Sequence, residues 1–186
     1  MPGHTLFGLW LILLGGLLAP VLGHADDLEL LSYSLRARFS ETTLLGKEAP
    51  EAFDEYDLSA NFELPWQYQS ASGWRLGTRL MASAGGLHGA GETALATSLV
   101  PQIVLSSEDG RFSIDLGLGG ALLSRHRFGT QDFGGPFQFA LTLGIGVPLY
   151  KNLGLGYRFQ HYSDAGLNGP DTIGVDLHMI EFSYWY

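Results

Sequence analysis

Three residues whose types could together hydrolyse an ester lie near the end of the chain. His161 and Ser163 are two residues apart in one alternating segment, and Asp176 begins the next segment of this kind. A serine can attack a carbonyl carbon when a histidine takes its proton and a carboxylate orients the imidazole ring. The residue types therefore predict a serine hydrolase site, provided that the fold brings the three side chains to one face.

A hairpin formed by residues 153–163 and 176–186 would bring them together. Strand side chains alternate between two faces, so all three share a face with the apolar and aromatic residues of their segments. Either Ser163 or His161 can stand opposite Asp176, and both registers bring the side chains within roughly 5–8 Å. A second interpretation stays open, in which serine and histidine sit at a membrane interface and Asp176 belongs to a solvated loop.

The rest of the chain indicates six more strands. Period-2 alternation runs through residues 31–39, 56–66, 74–83, 94–105, 112–122 and 137–147. One face carries bulky Leu, Phe, Trp and Tyr, and the other mixes Gly, Ser and Ala with Arg, Asp and Glu. Together with the hairpin, this pattern predicts an all-β fold, an eight-stranded antiparallel transmembrane β-barrel of the outer-membrane type. The alternative, a soluble lipid-binding barrel, needs the bulky face inside, where eight strands leave little room.

The connections and the polar face fit such a barrel. Residues 40–55, 85–93, 124–135 and 164–174 are long connections, whereas 67–73, 106–110 and 148–152 are short. Long loops on one side and tight turns on the periplasmic side are typical of outer-membrane barrels. We expect the inward charges to form a structural ion-pair network, whose members are Arg36, Arg38, Arg75, Arg79 and Arg158 with Asp57, Glu63, Asp115 and Glu181.

Residues 1–25 are predicted to be a cleaved signal peptide, which leaves residues 26–186 as the mature outer-membrane barrel. An apolar run over residues 6–22 is followed by Gly23-His24-Ala25, whose small residues suit a cleavage site. A retained single membrane helix is the alternative.

The composition excludes several classes of partner. A net charge of −9 gives no basic footprint for nucleic acid. The chain has no cysteine, so disulfides and thiolate metal sites are excluded. His88 and His126 share their loops with acidic residues, but ligands scattered over two loops, with arginines flanking His126, make a poor cation site. We therefore expect neither a metal nor a cofactor.

The segment 157–176 resembles the active-site hairpin of the outer-membrane lipid A 3-O-deacylase family, through His161-Tyr162-Ser163, Ala165-Gly166-Leu167 and Pro170. That family is an eight-stranded barrel whose Ser–His–Glu triad faces the membrane. The resemblance implies Ser163 as nucleophile, His161 as general base and Asp176 in place of the glutamate. It also implies, as partner and substrate, lipid A of lipopolysaccharide in the outer leaflet, with an ester-linked hydroxyacyl chain removed at position 3. For the oligomeric state, both a monomer and a homodimer stay open.

Two residues depart from the family pattern. The family has an asparagine after the serine that helps to stabilise the oxyanion, and this chain has Asp164. Its carboxylate would have to be protonated, turned away, or replaced as donor by the backbone N–H of Gly166, because a negative charge repels the oxyanion. Asp176 must also reach His161 with a shorter side chain. We expect a weakened esterase, and the alternative is a non-catalytic barrel with a structural or adhesion role, or a decayed deacylase.

Overall fold

A computed structural model describes residues 28–40 and 42–186. The predicted signal peptide, residues 1–25, lies outside the described residues. Within the described part, no helix is long and apolar enough to cross a membrane. The strands there are β1 (Leu30–Ser40), β2 (Phe53–Gln69), β3 (Arg75–Gly89), β4 (Glu92–Ser106), β5 (Ser113–Leu123), β6 (Arg127–Phe128), β7 (Gln131–Asp132), β8 (Phe137–Tyr150), β9 (Leu153–Ser163) and β10 (Val175–Trp185).

Eight of these strands close into an antiparallel barrel in the order β1-β10-β9-β8-β5-β4-β3-β2. The predicted eight-stranded antiparallel barrel is therefore confirmed. Each barrel strand pairs with the next barrel strand along the chain, so that β5 pairs with β8. The strand β1 pairs with β10 and closes the barrel. The short strands β6 and β7 form a separate hairpin in the connection between β5 and β8. The sequence pattern missed this hairpin because each of its strands is only two residues long.

The barrel wall has the polarity that the alternation predicts. Apolar side chains face outward and are exposed, as Leu58 is to 65%. Polar side chains such as those of Arg36, Gln160 and Thr142 face inward and are fully buried. An apolar outer wall around a polar interior suits a surrounding of lipid.

The two ends of the barrel differ in their connections. Short turns over residues 70–74, 107–112 and 151–152 define the turn end, and the opposite end is the loop end. The prediction of a long loop over residues 85–93 is wrong. The strands β3 and β4 continue to a two-residue turn of Ala90 and Gly91, whose φ angles are +50° and +75°. Positive φ at both positions matches the twist of paired strands, so the hairpin closes tightly.

Two buried arginines organise the interior. Arg36 binds Asp57 through Nε at 2.6 Å and Nη2 at 2.8 Å. Arg158 donates to Glu181 at 2.6 Å and to Asp115 at 2.6 Å. The predicted network is thus confirmed for these two arginines.

The other inward arginines have different partners. Arg38 contacts Asp54 at 3.3 Å, and the Arg79 guanidinium lies 5.0 Å from the centre of the Trp185 ring. A Trp ring attracts a cation through its negative face. Glu63 accepts a hydrogen bond from Gln67, so it is drawn to its own strand.

Glycine provides the space for the larger cluster. A Cβ atom on Gly144 would lie 2.3 Å from Oδ2 of Asp115 and 2.8 Å from Nη2 of Arg158. Because both distances are far shorter than a van der Waals contact, a side chain at this position would displace the ion pair. The mixture of glycine and charge on one face of the strands is therefore a packing requirement.

We expect Arg158→Met to lower the free energy of unfolding by about 3–5 kcal/mol, because it leaves buried acids without their cation. Guanidinium titration of the protein refolded in lipid vesicles would measure the change. Arg111→Met is the matched control, since Arg111 pairs with Asp109 at the turn end and its side chain is 82% exposed. An Arg158→Met protein as stable as the Arg111→Met protein would contradict a structural role for the cluster.

Candidate active site

The register of β9 and β10 sets the site. Asp176 stands directly opposite His161, which is one of the two registers that the sequence allows. Opposite residues in an antiparallel pair have Cβ atoms about 4.5–5.5 Å apart. Nδ1 of His161 lies 2.6 Å from Oδ1 of Asp176, so the shorter acid does reach the imidazole.

The Asp176 carboxylate is buried although its strand position faces outward. Its side chain is 2% exposed. Its second oxygen, Oδ2, accepts hydrogen bonds from the backbone N–H of Leu44 at 2.5 Å and of Leu45 at 2.7 Å. Both donors belong to the loop between β1 and β2. Sequence reasoning missed them, and the only signal was an apolar Leu-Leu pair within an otherwise polar loop.

The hydrogen bond to Asp176 fixes the chemistry of His161. A carboxylate accepts hydrogen bonds, so the neutral imidazole carries its proton on Nδ1 and presents the Nε2 lone pair. Ser163 lies two residues further along β9 on the same outward face and is half-buried. Within the described residues its hydroxyl makes no hydrogen bond to the His161 ring. Such bonds are often long without substrate and tighten when substrate binds.

Gly174 lies between the serine and the histidine. A Cβ atom there would lie 3.0 Å from Cβ of Ser163, 3.2 Å from Cε1 of His161 and 2.4 Å from the carbonyl oxygen of Tyr162. Only glycine lets the chain pass this close on its way into β10. A side chain at position 174 would therefore press on both functional side chains.

Asp164 is turned into the loop that follows β9. Its Oδ1 accepts from the N–H of Gly166 at 2.9 Å and from the hydroxyl of Thr172 at 2.9 Å. Its Oδ2 accepts from the backbone N–H of Asn168 at 3.0 Å and from the Asn168 amide at 3.1 Å. Of the three arrangements that the sequence allows, the structure has the carboxylate turned away. The Gly166 N–H is engaged by Asp164 in the same contact.

These contacts decide the charge of Asp164. Burial alone would raise its pKa, but hydrogen bonds from the backbone N–H groups of Gly166 and Asn168 and from the side chains of Thr172 and Asn168 hold the pKa below its usual value. Asp164 is therefore an ionised carboxylate at neutral pH. Its negative charge is stabilised by neutral hydrogen-bond donors of the loop.

His178 joins the hairpin to the β1–β2 loop. Its Nδ1 lies 2.7 Å from the Tyr157 hydroxyl, and its Nε2 lies 2.7 Å from the carbonyl oxygen of Thr42. Since a carbonyl oxygen only accepts, Nε2 carries a proton. Both ring nitrogens therefore bind groups other than Ser163, and His178 connects β10 to the β1–β2 loop.

His88 and His126, which the sequence pattern places in loops, each contact one nearby polar side chain; His88 lies within β3. Nδ1 of His88 lies 2.9 Å from the Thr93 hydroxyl, and Nδ1 of His126 lies 3.1 Å from Oδ1 of Asp132. In the part of the chain that the structure covers, no three His, Cys, Asp or Glu side chains gather as metal ligands would.

An apolar groove lies on the outer wall beside the site. Ser163 stands opposite Phe139 of β8, Phe139 opposite Gly120 of β5, and Gly120 opposite Leu99 of β4. Adjacent strands are about 4.8 Å apart, so this row leads from the serine across three strands. A groove of about 390 Å³ has Gly120 in its floor and Leu99 and Phe137 in its walls. A Cβ atom at Gly120 would lie 2.9 Å from Cε2 of Phe137, so a side chain at this position would displace the Phe137 ring that forms part of the groove.

We expect Gly174→Ala to lower ester hydrolysis by about 10²-fold, since a displacement of roughly 1 Å can cost this much. Release of p-nitrophenol from a short acyl ester measures the rate. Gly135→Ala is the matched control, because a Cβ atom there meets its nearest neighbour, Nδ2 of Asn168, at an ordinary 3.5 Å. If both variants keep the same rate, the spacing set by Gly174 has no role in catalysis.

Comparison with known proteins agrees with the fold. Residues 54–185 match the family model described as lipid A 3-O-deacylase (PagL). The chain is 30% identical over 142 residues to the lipid A deacylase PagL of Bordetella bronchiseptica, which covers 72% of this chain and 78% of that protein. It is 32% identical over 96 residues to lipid A deacylase PagL of Pseudomonas aeruginosa, covering 52% of this chain and 55% of that protein.

A solved structure has the same fold. The crystal structure of the outer membrane enzyme PagL superposes with a TM-score of 0.68 at 21% identity, covering 83% of this chain and 99% of that one. The barrel is thus of the outer-membrane type, with its apolar wall towards lipid. With a family match that spans most of the chain, this protein belongs to the lipid A 3-O-deacylase family.

Proposed function

We propose that this protein is an outer-membrane serine esterase that removes an ester-linked 3-hydroxyacyl chain from lipid A, at position 3. The observation that carries the proposal is the 2.6 Å contact between His161 and Asp176 on a lipid-facing surface, with Ser163 on the same face. A polar site on such a surface is accessible to a substrate that lies in the bilayer. Membership in the lipid A 3-O-deacylase family supports this choice of substrate.

The reaction proceeds in two stages. Nε2 of His161 takes the proton of Ser163 as Oγ attacks the ester carbonyl carbon. The tetrahedral intermediate collapses, the sugar oxygen leaves with the proton from His161, and the acyl group stays on Ser163. Water, activated by His161, then releases the 3-hydroxy acid and restores the serine. Asp176 orients the imidazole and stabilises its positive charge throughout, and no cofactor is needed.

The oxyanion is the weak point of this site. Asp164 is ionised and cannot donate a hydrogen bond, and it occupies the N–H of Gly166. In our proposal, the Gly166 N–H turns to the oxyanion when the substrate displaces its contact with Asp164. One missing donor costs about 10²–10³ in rate, so we expect slower turnover than a site with asparagine at this position would give.

In our proposal, the acyl chain of the bound ester extends from Ser163 along the apolar outer wall to the groove that contains Gly120. Its carbonyl end is at Ser163 and its tail crosses β8 towards β5. Lipid is as apolar as the groove, so the groove supplies orientation and little hydrophobic energy. Orientation of the ester against the nucleophile is a recognised source of rate.

The first experiment is mass spectrometry of lipid A from cells that express the wild type, Ser163→Ala or Asp164→Asn. We expect the wild type to remove one hydroxyacyl chain and Ser163→Ala to remove none. Asp164→Asn should raise the rate by about tenfold or more, because it removes a negative charge beside Ser163 and supplies an amide donor.

The controls separate export from catalysis. The intact mass of the membrane-extracted protein should equal that of residues 26–186, because the proposed signal peptide at residues 1–25 is removed. Deacylation by Ser163→Ala would overturn the nucleophile assignment. Unchanged lipid A with both wild type and Asp164→Asn, in a folded and exported barrel, would favour the alternative of a decayed deacylase with a structural role.

The groove gives a second test. Gly120→Ile should lower kcat/KM for lipid A by roughly tenfold, because it misplaces the acyl chain, while hydrolysis of a short p-nitrophenyl ester stays unchanged. Gly86→Ile is the control, since Gly86 is an outward glycine of β3, which lies across the barrel from β9, and its nearest neighbour would be 3.8 Å from an added Cβ atom. Equal effects of the two variants on lipid A would remove the groove from the proposal.

A further inference from the structure

The acid of the site is held by a segment outside its own hairpin. Oδ1 of Asp176 faces His161 at 2.6 Å, whereas Oδ2 accepts the backbone N–H groups of Leu44 and Leu45 at 2.5 and 2.7 Å. Each carboxylate oxygen therefore has its own partners, which fixes the rotation of the group. We call residues 42–47 the strap.

The strap is tied down at both of its ends. At its start, the Thr42 carbonyl accepts from Nε2 of His178 at 2.7 Å. At its end, Nζ of Lys47 donates to the Pro170 carbonyl in the β9–β10 loop at 2.7 Å. The strap thus crosses the outer face of the hairpin from β10 to that loop.

Between these ties the strap passes beside the imidazole. Gly46 has a φ of +74°, and a Cβ atom there would lie 3.9 Å from Cε1 of His161. This positive φ turns the chain at the site. The strap covers the outward side of the His161–Asp176 pair, which explains why a group on the lipid-facing wall is buried.

A charge in this position needs such donors. An unpaired carboxylate on a lipid-facing wall is costly, and the cost falls only towards the interface. Hydrogen bonds from N–H groups to an ionised acceptor are among the stronger ones. The two strap amides thus satisfy Oδ2 of Asp176 and leave Oδ1 directed at His161.

The strap also carries exposed apolar side chains. Leu44 is 60% exposed and Leu45 is 39% exposed, and these are the two residues whose N–H groups bind Asp176. Their side chains extend from the same outward surface that faces lipid. Burial of these side chains in the bilayer would press the strap against the hairpin.

We propose that the strap is a positioning element for the catalytic acid, seated by insertion of Leu44 and Leu45 into the bilayer. This inference rests on the proposed function, since it assigns Asp176 its role. The strap acts through Asp176 and touches neither the nucleophile nor the scissile bond. Its loss therefore lowers kcat and leaves KM for lipid A nearly unchanged.

The kinetic test uses a double-mutant cycle in phospholipid vesicles that contain lipid A. Leu44→Pro removes one strap N–H, and Leu44→Ala is the matched control that keeps it. We expect Leu44→Pro to lower kcat by about 10–10²-fold in the wild-type background. In an Asp176→Ala background it should change kcat by less than roughly twofold, because the group through which it acts is gone. An equal loss in both backgrounds would overturn the proposal.

An activity-independent measurement separates this inference from the proposed function. Hydrogen exchange of the Leu44 and Leu45 amides should be slow in the wild type and fast in Asp176→Ala, whether or not the protein hydrolyses lipid A. Equal exchange in the two proteins would overturn the strap even if the wild type is an active deacylase. Slow exchange in a wild-type protein that does not hydrolyse lipid A would overturn the proposed function, although the contact between the strap amides and Asp176 would stand.

The lipid seat is tested with the double variant Leu44→Ser, Leu45→Ser, which keeps both N–H groups. We expect faster exchange of the two amides and a lower kcat in vesicles. Leu95→Ser is the matched control, because Leu95 is an outward leucine at the loop end of β4 that is 57% exposed. If the double variant behaves like Leu95→Ser, the leucines do not seat the strap.

Discussion

A carboxylate on a lipid-facing wall has to replace its water with hydrogen bonds, and the loop end of this barrel is arranged around that requirement. Asp176 receives one bond from the imidazole of His161 and two from backbone N–H groups of the β1–β2 loop. Because the same bonds cover the acid and orient the base, burial and chemical function depend on one set of contacts. The β1–β2 loop can reach Asp176 because β1 pairs with β10, the strand that carries this acid.

The interior of the barrel meets the same requirement by other means. There the charges are arginine–carboxylate pairs, with Arg36 on Asp57 and Arg158 on Asp115 and Glu181. Planar guanidinium groups satisfy two carboxylate oxygens at once, and glycines on the facing strands leave the volume that they need. Inside the barrel, side chains of the strands themselves satisfy these charges, including across β8, where Arg158 of β9 reaches Asp115 of β5.

The barrel could be predicted from the sequence because period-2 alternation is local and repeats eight times. The candidate site could be predicted in part, because His161 and Ser163 share a strand and only two registers bring Asp176 to them. The strap could not be predicted, since its contacts use backbone N–H groups 131 and 132 residues away from the acid, and backbone groups carry no sequence signal. The turn at Ala90 and Gly91 is not evident from the sequence, because Gly85, Gly86 and Gly89 have no side chains from which the alternation of β3 could be read.

The two departures from the family pattern have a common physical consequence. In both places a carboxylate with two acceptor oxygens binds nearby backbone N–H groups. At Asp164 the difference from the family's asparagine is the charge, and at Asp176 the difference from glutamate is the length. Asp164 accepts hydrogen bonds from the loop after β9, and Asp176 accepts hydrogen bonds from the strap. Lys47 then joins the strap to the same loop through Pro170. The orientation of the base therefore depends on two loops that bind each other, and loops open more readily than barrel strands. On our proposal, the strands set where the reaction occurs, and contact of the loops with the bilayer sets how often the site is complete.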